Sequence, residues 1–306
     1  MTRSNWLDSL KKQLSGSQDK RRRRPQTDTQ ARAISNPYGN GLFASSAEGL
    51  EDRKLLTVTS NFAAGTLTID MDAAADAAVI TEAGGNIQIN AADPTSGTLA
   101  IADVTTLQVN GSAGAQSVDI QTSAFDADVA INVASTVETT TITNALTVAS
   151  VDVDSTGSIS IGADITTTGN QDYASGLTLT ANAVLTGSNI NVTGNVDGDF
   201  NLTLDGVSDV SGTIGPAVTD LTVQGTSLNA GAIDIDGNLL SNSGVSVSTD
   251  TGTIAVDGNL TTGGTLTSQT GVDVDGNSSL GGNVTASAGA VTLGDAAGDT
   301  VTLTAD

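Results

Sequence analysis

Ile233-Asp234-Ile235-Asp236-Gly237-Asn238 returns as Ile254-Ala255-Val256-Asp257-Gly258-Asn259 and again as Val272-Asp273-Val274-Asp275-Gly276-Asn277. Each copy is an apolar–small–apolar triplet followed by a turn, and the Asp-Gly-Asn units open at Asp236, Asp257 and Asp275. Side chains alternate across a β-strand, so each triplet turns two apolar groups to one face and one small or polar group to the other. Glycine supplies the sharp bend, and the flanking Asp and Asn side chains hydrogen-bond their own backbone through it.

The same texture extends outward from that stretch. Leu67-Thr68-Ile69, Leu107-Gln108-Val109, Val129-Ala130-Ile131, Ile159-Ser160-Ile161, Leu177-Thr178-Leu179, Leu221-Thr222-Val223 and Val301-Thr302-Leu303 repeat the alternation from about Val58 to the end. Period two with β-branched residues is a strand signal, and no helical spacing competes with it. Strands this short fit two architectures, tandem antiparallel β-sandwich repeats or a parallel β-helix (solenoid). The unbroken texture, the small residues and a repeat of about 20 residues favour the solenoid. About ten rungs at roughly 4.8 Å each predict a rod of about 50 Å. The chain ends in full repeat pattern, so the expectation is an uncapped or truncated C-terminal end.

Charge divides the chain in two. All 11 Lys and Arg lie in residues 1–54, beside six acids; residues 55–306 hold 28 Asp and Glu and no base. Residues 1–57 therefore read as a basic, mostly disordered leader, and 58–306 as an acidic repeat region. The leader carries Arg21 to Arg24, but lacks the apolar stretch of a secretory signal, so the export route stays open. An acidic body repels nucleic acid and anionic lipid, so neither is an expected partner. No stretch reaches the length of about 18 apolar residues that a membrane span needs.

Catalysis is poorly served by this composition. There is no His and no Cys, which excludes imidazole or thiolate chemistry and the corresponding metal sites. Asp197 and Asp199 form an acid pair of the kind glycosidases use. Yet the body has no base to hold an acidic sugar, and only Phe62, Phe125, Tyr173 and Phe200 to stack on one. Gly84-Gly85 and Gly263-Gly264 lack the lysine of a phosphate loop. Threonines at alternate positions, Thr178/Thr180, Thr265/Thr267 and Thr302/Thr304, sit at spacings too irregular for a flat ice-matching face.

Calcium is the one cofactor the residues raise. Asp234, Asp236 and Asn238, and again Asp273, Asp275 and Asn277, place oxygen ligands at every second position. Neither set follows the EF-hand pattern or the glycine-rich calcium β-roll repeat. The plainer reading, preferred here, makes these residues outward strand positions and turn formers.

Where leader meets body stands Leu50-Glu51-Asp52-Arg53-Lys54-Leu55-Leu56. It resembles the Leu-Glu-Pro-Arg-x-Leu-Leu motif found near the start of large planctomycete surface proteins, with Asp52 where that family has proline. The resemblance makes Leu50, Glu51, Asp52, Arg53, Leu55 and Leu56 targeting residues. Ile165 to Leu239, with Thr168-Gly169-Asn170-Gln171-Asp172-Tyr173, Gly194-Asn195-Val196-Asp197-Gly198 and Leu221-Thr222-Val223-Gln224-Gly225, is similar to the repeats of filamentous haemagglutinin-type and autotransporter-type adhesins. Together the two resemblances imply an exported bacterial protein, at the cell surface or outside it, with a right-handed parallel β-helix. The expected function is non-enzymatic: an adhesin-like or structural rod with protein or glycan partners at the surface or in the matrix. The alternatives are a polysaccharide-active β-helix enzyme and an acidic, divalent-cation-dependent matrix protein.

Overall fold

A computed structural model of the chain describes residues 58–303, apart from Ala74 and Ala113. The leader over 1–57, with the Leu50 to Leu56 motif, lies outside the described residues. Among the described residues thirty strands join into one hydrogen-bonded system, wound as a β-solenoid of about ten turns. Among the described residues there is no α-helix, and a single 3₁₀ turn spans Ile101–Asp103.

From Ala130 onward each coil contributes to three parallel ladders. One coil consists of Ser150–Val153, Ile159–Ile161 and Ile165–Thr167. It stacks on Ala130–Val133, Thr139–Ile142 and Leu146–Val148 on one side. On the other it meets Gln171–Tyr173, Leu177–Leu179 and the start of Ala183–Val192. The long strands Ala183–Val192, Leu202–Ile214 and Ser227–Ile235 bend from one ladder into the next, which merges the ladders into one system. In the third ladder the step from coil to coil varies, shorter from Val223 to Ser241 and longer from Leu280 to Leu303. The repeat read from the sequence is thus one full coil.

Parallel register explains why the triplets recur. Leu202, Leu221, Leu239 and Leu260 pair in succession and stack inward, each 0–1% exposed. Ile233, Ile254 and Val272 do the same in the second ladder, also buried. Each such side chain contributes on the order of 1.5–3 kcal/mol through removal from water. The core is thin, as the shortage of aromatics requires. Phe125 and Tyr173 are buried in it, and Phe62 and Phe200 pack partly buried against it.

The tandem-sandwich alternative is not what the chain forms. Antiparallel pairing among the described residues is confined to the first coil, where it builds a cap. Val58–Ala63 runs antiparallel to Thr66–Met71 across the tight turn Ala64-Gly65. Ala77–Ala83 runs antiparallel to Asn86–Ile89 across Gly84-Gly85, and Leu99–Ala100 adds a further strand. Both turn pairs have positive φ throughout, 51° and 83° for the first and 62° and 82° for the second, the signature of a tight hairpin. These hairpins lengthen the first coil, which runs from Leu67 all the way to its partner Leu107. They also cover the edges of Thr66–Met71 and Ala77–Ala83 that would otherwise stand open.

Candidate functional site

The turn that returns as Asp-Gly-Asn builds the most regular polar feature of the surface. Coils stack in register, so chemically like residues fall above one another at about 4.8 Å. Asn238 donates through its backbone N–H (2.7 Å) and Nδ2 (2.9 Å) to Asp220 Oδ1. Asn259 donates the same pair to Asn238 Oδ1, each at 3.0 Å. Asn277 repeats it on Asn259 Oδ1, at 3.0 and 3.2 Å. Thr300 closes the run with its N–H and hydroxyl on Asn277 Oδ1, both at 2.9 Å. Every amide oxygen in this ladder thereby accepts two hydrogen bonds, the full capacity of a carbonyl.

The six calcium candidates are consequently sorted by column rather than by turn. Asp234 and Asp273 share the outer face of the second ladder with Ala255 between them. Asp236, Asp257 and Asp275 each directly follow the paired residues Ile235, Val256 and Val274, and so form a second, exposed column. Asn238 and Asn277 belong to the amide ladder, with Asn259 between. The ladder ties up the amide oxygens, and the carboxylates line up along the solenoid. Asp220, Asp257, Asn259 and Thr300 are the members missed by reading each turn alone. Aligning the copies at the coil offset is the signal that finds them.

Among the described residues no three acidic side chains gather closely enough to hold a metal ion. The carboxylate column is nonetheless felt electrostatically. Partial desolvation, with repulsion from Asp295, Asp257, Asp273 and Asp299, raises the Asp275 carboxyl above its ordinary value. On the first ladder, Asp152 is raised by partial burial and by Asp154 and Asp172. Asp152 faces Asn132 on one side and Asp172 on the other. Further along, amides separate the acids: Asn191 Nδ2 donates to Asp172 Oδ1 at 2.5 Å, and Asn229 Nδ2 donates to Asp209 and Asp250. Alternation of acid and amide relieves like-charge contact where it occurs; Asp152 and Asp172 are an unrelieved pair.

The enzyme-type acid pair lies on a different part of the surface. Asp197 and Asp199 line a shallow hollow of about 420 Å³ with Thr178, Phe200 and Ala217. Asp197 Oδ1 accepts the N–H of Gly198 at 2.9 Å. Thr178 pairs with Ser160 and Asp197, and Thr267 with Ser248 and Thr285, so the outward threonines do not form one array. The buried pair Gln171 and Tyr173 is a structural device with no signal in the order of residues. Tyr173 Oη donates to Gln171 Oε1 (3.0 Å), and Gln171 Nε2 donates to the carbonyls of Ile165 (3.0 Å) and Thr186 (2.8 Å). Burial, with the Asp172 carboxylate beside it, pushes the Tyr173 hydroxyl up, so it stays a neutral donor. The targeting residues Leu50, Glu51, Asp52, Arg53, Leu55 and Leu56 lie outside the described residues.

Compared with family models, with curated proteins and with solved structures, the chain matches none of them.

Proposed function

We propose that this chain is an exported bacterial protein of the cell surface or extracellular matrix that acts without catalysis, as an adhesin-like or structural rod. The observation that carries the reading is how the polar surface is used. Outward amides and hydroxyls are spent on coil-to-coil hydrogen bonds, from Asp220 through Asn238, Asn259 and Asn277 to Thr300. Such a surface stiffens and solvates a repeat. The acidic residues keep neighbouring rods apart, and the resemblance of Leu50 to Leu56 to the planctomycete motif supports export.

A second reading, a matrix protein that responds to divalent cations, is favoured by the column Asp236, Asp257 and Asp275. Desolvation, with repulsion from the neighbouring acids, raises Asp275, and divalent counter-ions along the column would screen that repulsion. The deciding experiment for export is gentle proteolysis of intact producing cells, with the N-terminus of the released protein mapped by mass spectrometry. A start between Leu50 and Val58, recovered from the surface, supports the rod. A chain confined to the cytosol and still beginning at Met1 or Thr2 overturns it. Calcium titration of the released protein and of its Asp236→Asn/Asp257→Asn/Asp275→Asn variant then separates the second reading: a rise in thermal stability with calcium that the variant loses supports it, and an equal rise in both overturns it.

A further inference from the structure

The cap carries a feature that neither the coils nor the amide ladder explains. A hollow of about 540 Å³ opens between its first strand and the turn after Asn86–Ile89. Val58 and Ile89 give it apolar wall, Ser60 and Thr95 a hydroxyl flank, and Asp76 and Asp93 its charge. The flank is well built: Thr95 N–H donates to Ser60 Oγ at 2.8 Å, and Ser60 N–H donates to Thr95 Oγ1 at 3.2 Å.

Asp76 is the anomaly. It is 1% exposed, yet its Oδ1 has no hydrogen-bond partner. Its Oδ2 accepts the Ala73 N–H at 3.0 Å, and its backbone carbonyl accepts the Ser117 N–H at 3.0 Å. Those bonds hold the residue in place, so it does not swing into water. A buried carboxylate oxygen is costly unless paired with a donor or a cation. Residues 55–306 contain no lysine, arginine or histidine to supply one.

We propose that this hollow binds an organic cation through an ammonium or guanidinium group, with Asp76 at the floor and Asp93 at the rim. Reaching the unpaired Oδ1, which is closed to water, the cationic head parts the lining of the hollow, and the attached methylenes lie against Val58 and Ile89. A calcium ion suits the place less well, because it takes six to eight oxygen ligands and no third acidic side chain joins the two. The net negative field of the body draws cations toward it generally, so a specific site must be separated from diffuse attraction. Both a free amine and a lysine or arginine side chain of a partner protein carry the required group.

The test is an NMR titration of the full-length protein at fixed ionic strength with n-butylammonium, n-butylguanidinium, n-butanol and calcium chloride. The expected result is saturable shifts at the Ser60, Asp76, Ala77 and Thr95 amides with the two organic cations and none with butanol. Asp76→Asn is expected to weaken binding at least tenfold and Asp93→Asn several-fold. Because Asp76→Asn can disturb the cap, the exposed Asp93→Asn decides the matter if the first variant loses the wild-type amide spectrum. Failure of both cations to saturate, equal shifts with butanol, saturation by calcium alone, or unchanged affinity in a folded variant overturns the proposal. Tighter binding of a lysine-containing peptide than of butylammonium assigns the site to a protein side chain; the reverse order assigns it to a free amine.

Discussion

Asn259 Oδ1 receives two hydrogen bonds from Asn277, one from the backbone N–H at 3.0 Å and one from Nδ2 at 3.2 Å. Asn259 in turn donates the same two groups to Asn238. One side chain therefore links three successive coils.

Asn259→Ala removes the acceptor for Asn277 and the donor to Asn238 while leaving the backbone in place. Water replaces part of the loss at this exposed position, so a destabilisation of about 1–2 kcal/mol is expected. Asn259→Asp keeps the acceptor but opposes two oxygens across the step to Asn238. Relative to the parent, urea unfolding is expected to show a larger deficit for this variant at pH 7 than at pH 4, whereas the deficit of Asn259→Ala changes little with pH.

Gly225 lies where two coil backbones approach closely. A Cβ built there falls 2.0 Å from the Gly206 carbonyl oxygen, a backbone atom that cannot turn aside. Gly225→Ala must separate the coils locally, at an expected cost of about 1–3 kcal/mol. Gly244 has open space around its Cβ position but a φ of +76°, so Gly244→Ala is strained for a different reason. Hydrogen exchange distinguishes the two, with Gly225→Ala exposing amides in the neighbouring coil as well as its own.

Ala64 occupies the first position of the cap hairpin at φ 51°, a conformation that disfavours a Cβ. It is exposed and makes no packing contribution that the change would sacrifice. Ala64→Gly or Ala64→Asn is expected to stabilise the cap by about 0.5–1 kcal/mol, read as a higher unfolding temperature.

The raised carboxyls of Asp152 and Asp275 set the sign of one pH effect. A group whose pKa is higher folded than unfolded binds its proton more tightly in the folded state. Its contribution is therefore fully present below the ordinary value of 3.8 and is lost as pH rises through the raised value. The double variant Asp152→Asn/Asp275→Asn is expected to gain stability relative to the parent as pH rises above 4. Raising salt is expected to shrink that gap, since exposed charges are screened. Parallel melting curves at pH 4 and pH 7, each at low and high salt, check both statements.

How much was legible in the chain differs from element to element. Leu202-Thr203-Leu204 and Leu221-Thr222-Val223 announce strands with one buried face, and the structure places their apolar residues inward in paired register. Asn238 and Asn277 were legible as turn residues, but not as partners of Asn259, because that relation joins residues a whole coil apart. The cap was illegible for another reason. Thr66–Met71 alternates like any later strand, and only its pairing with Val58–Ala63 marks it as the antiparallel end of the stack.

Alternation, turn chemistry and the missing basic residues are properties of neighbouring positions, so the sequence alone determined an all-β acidic repeat of short coils. Tertiary structure decided which residue lies above which. Register between coils follows from packing apolar side chains into a shared interior, and that contact is made across the chain rather than along it. The amide ladder, the column of carboxylates and the unpaired Oδ1 of Asp76 all arise there, where residues far apart in sequence are brought together.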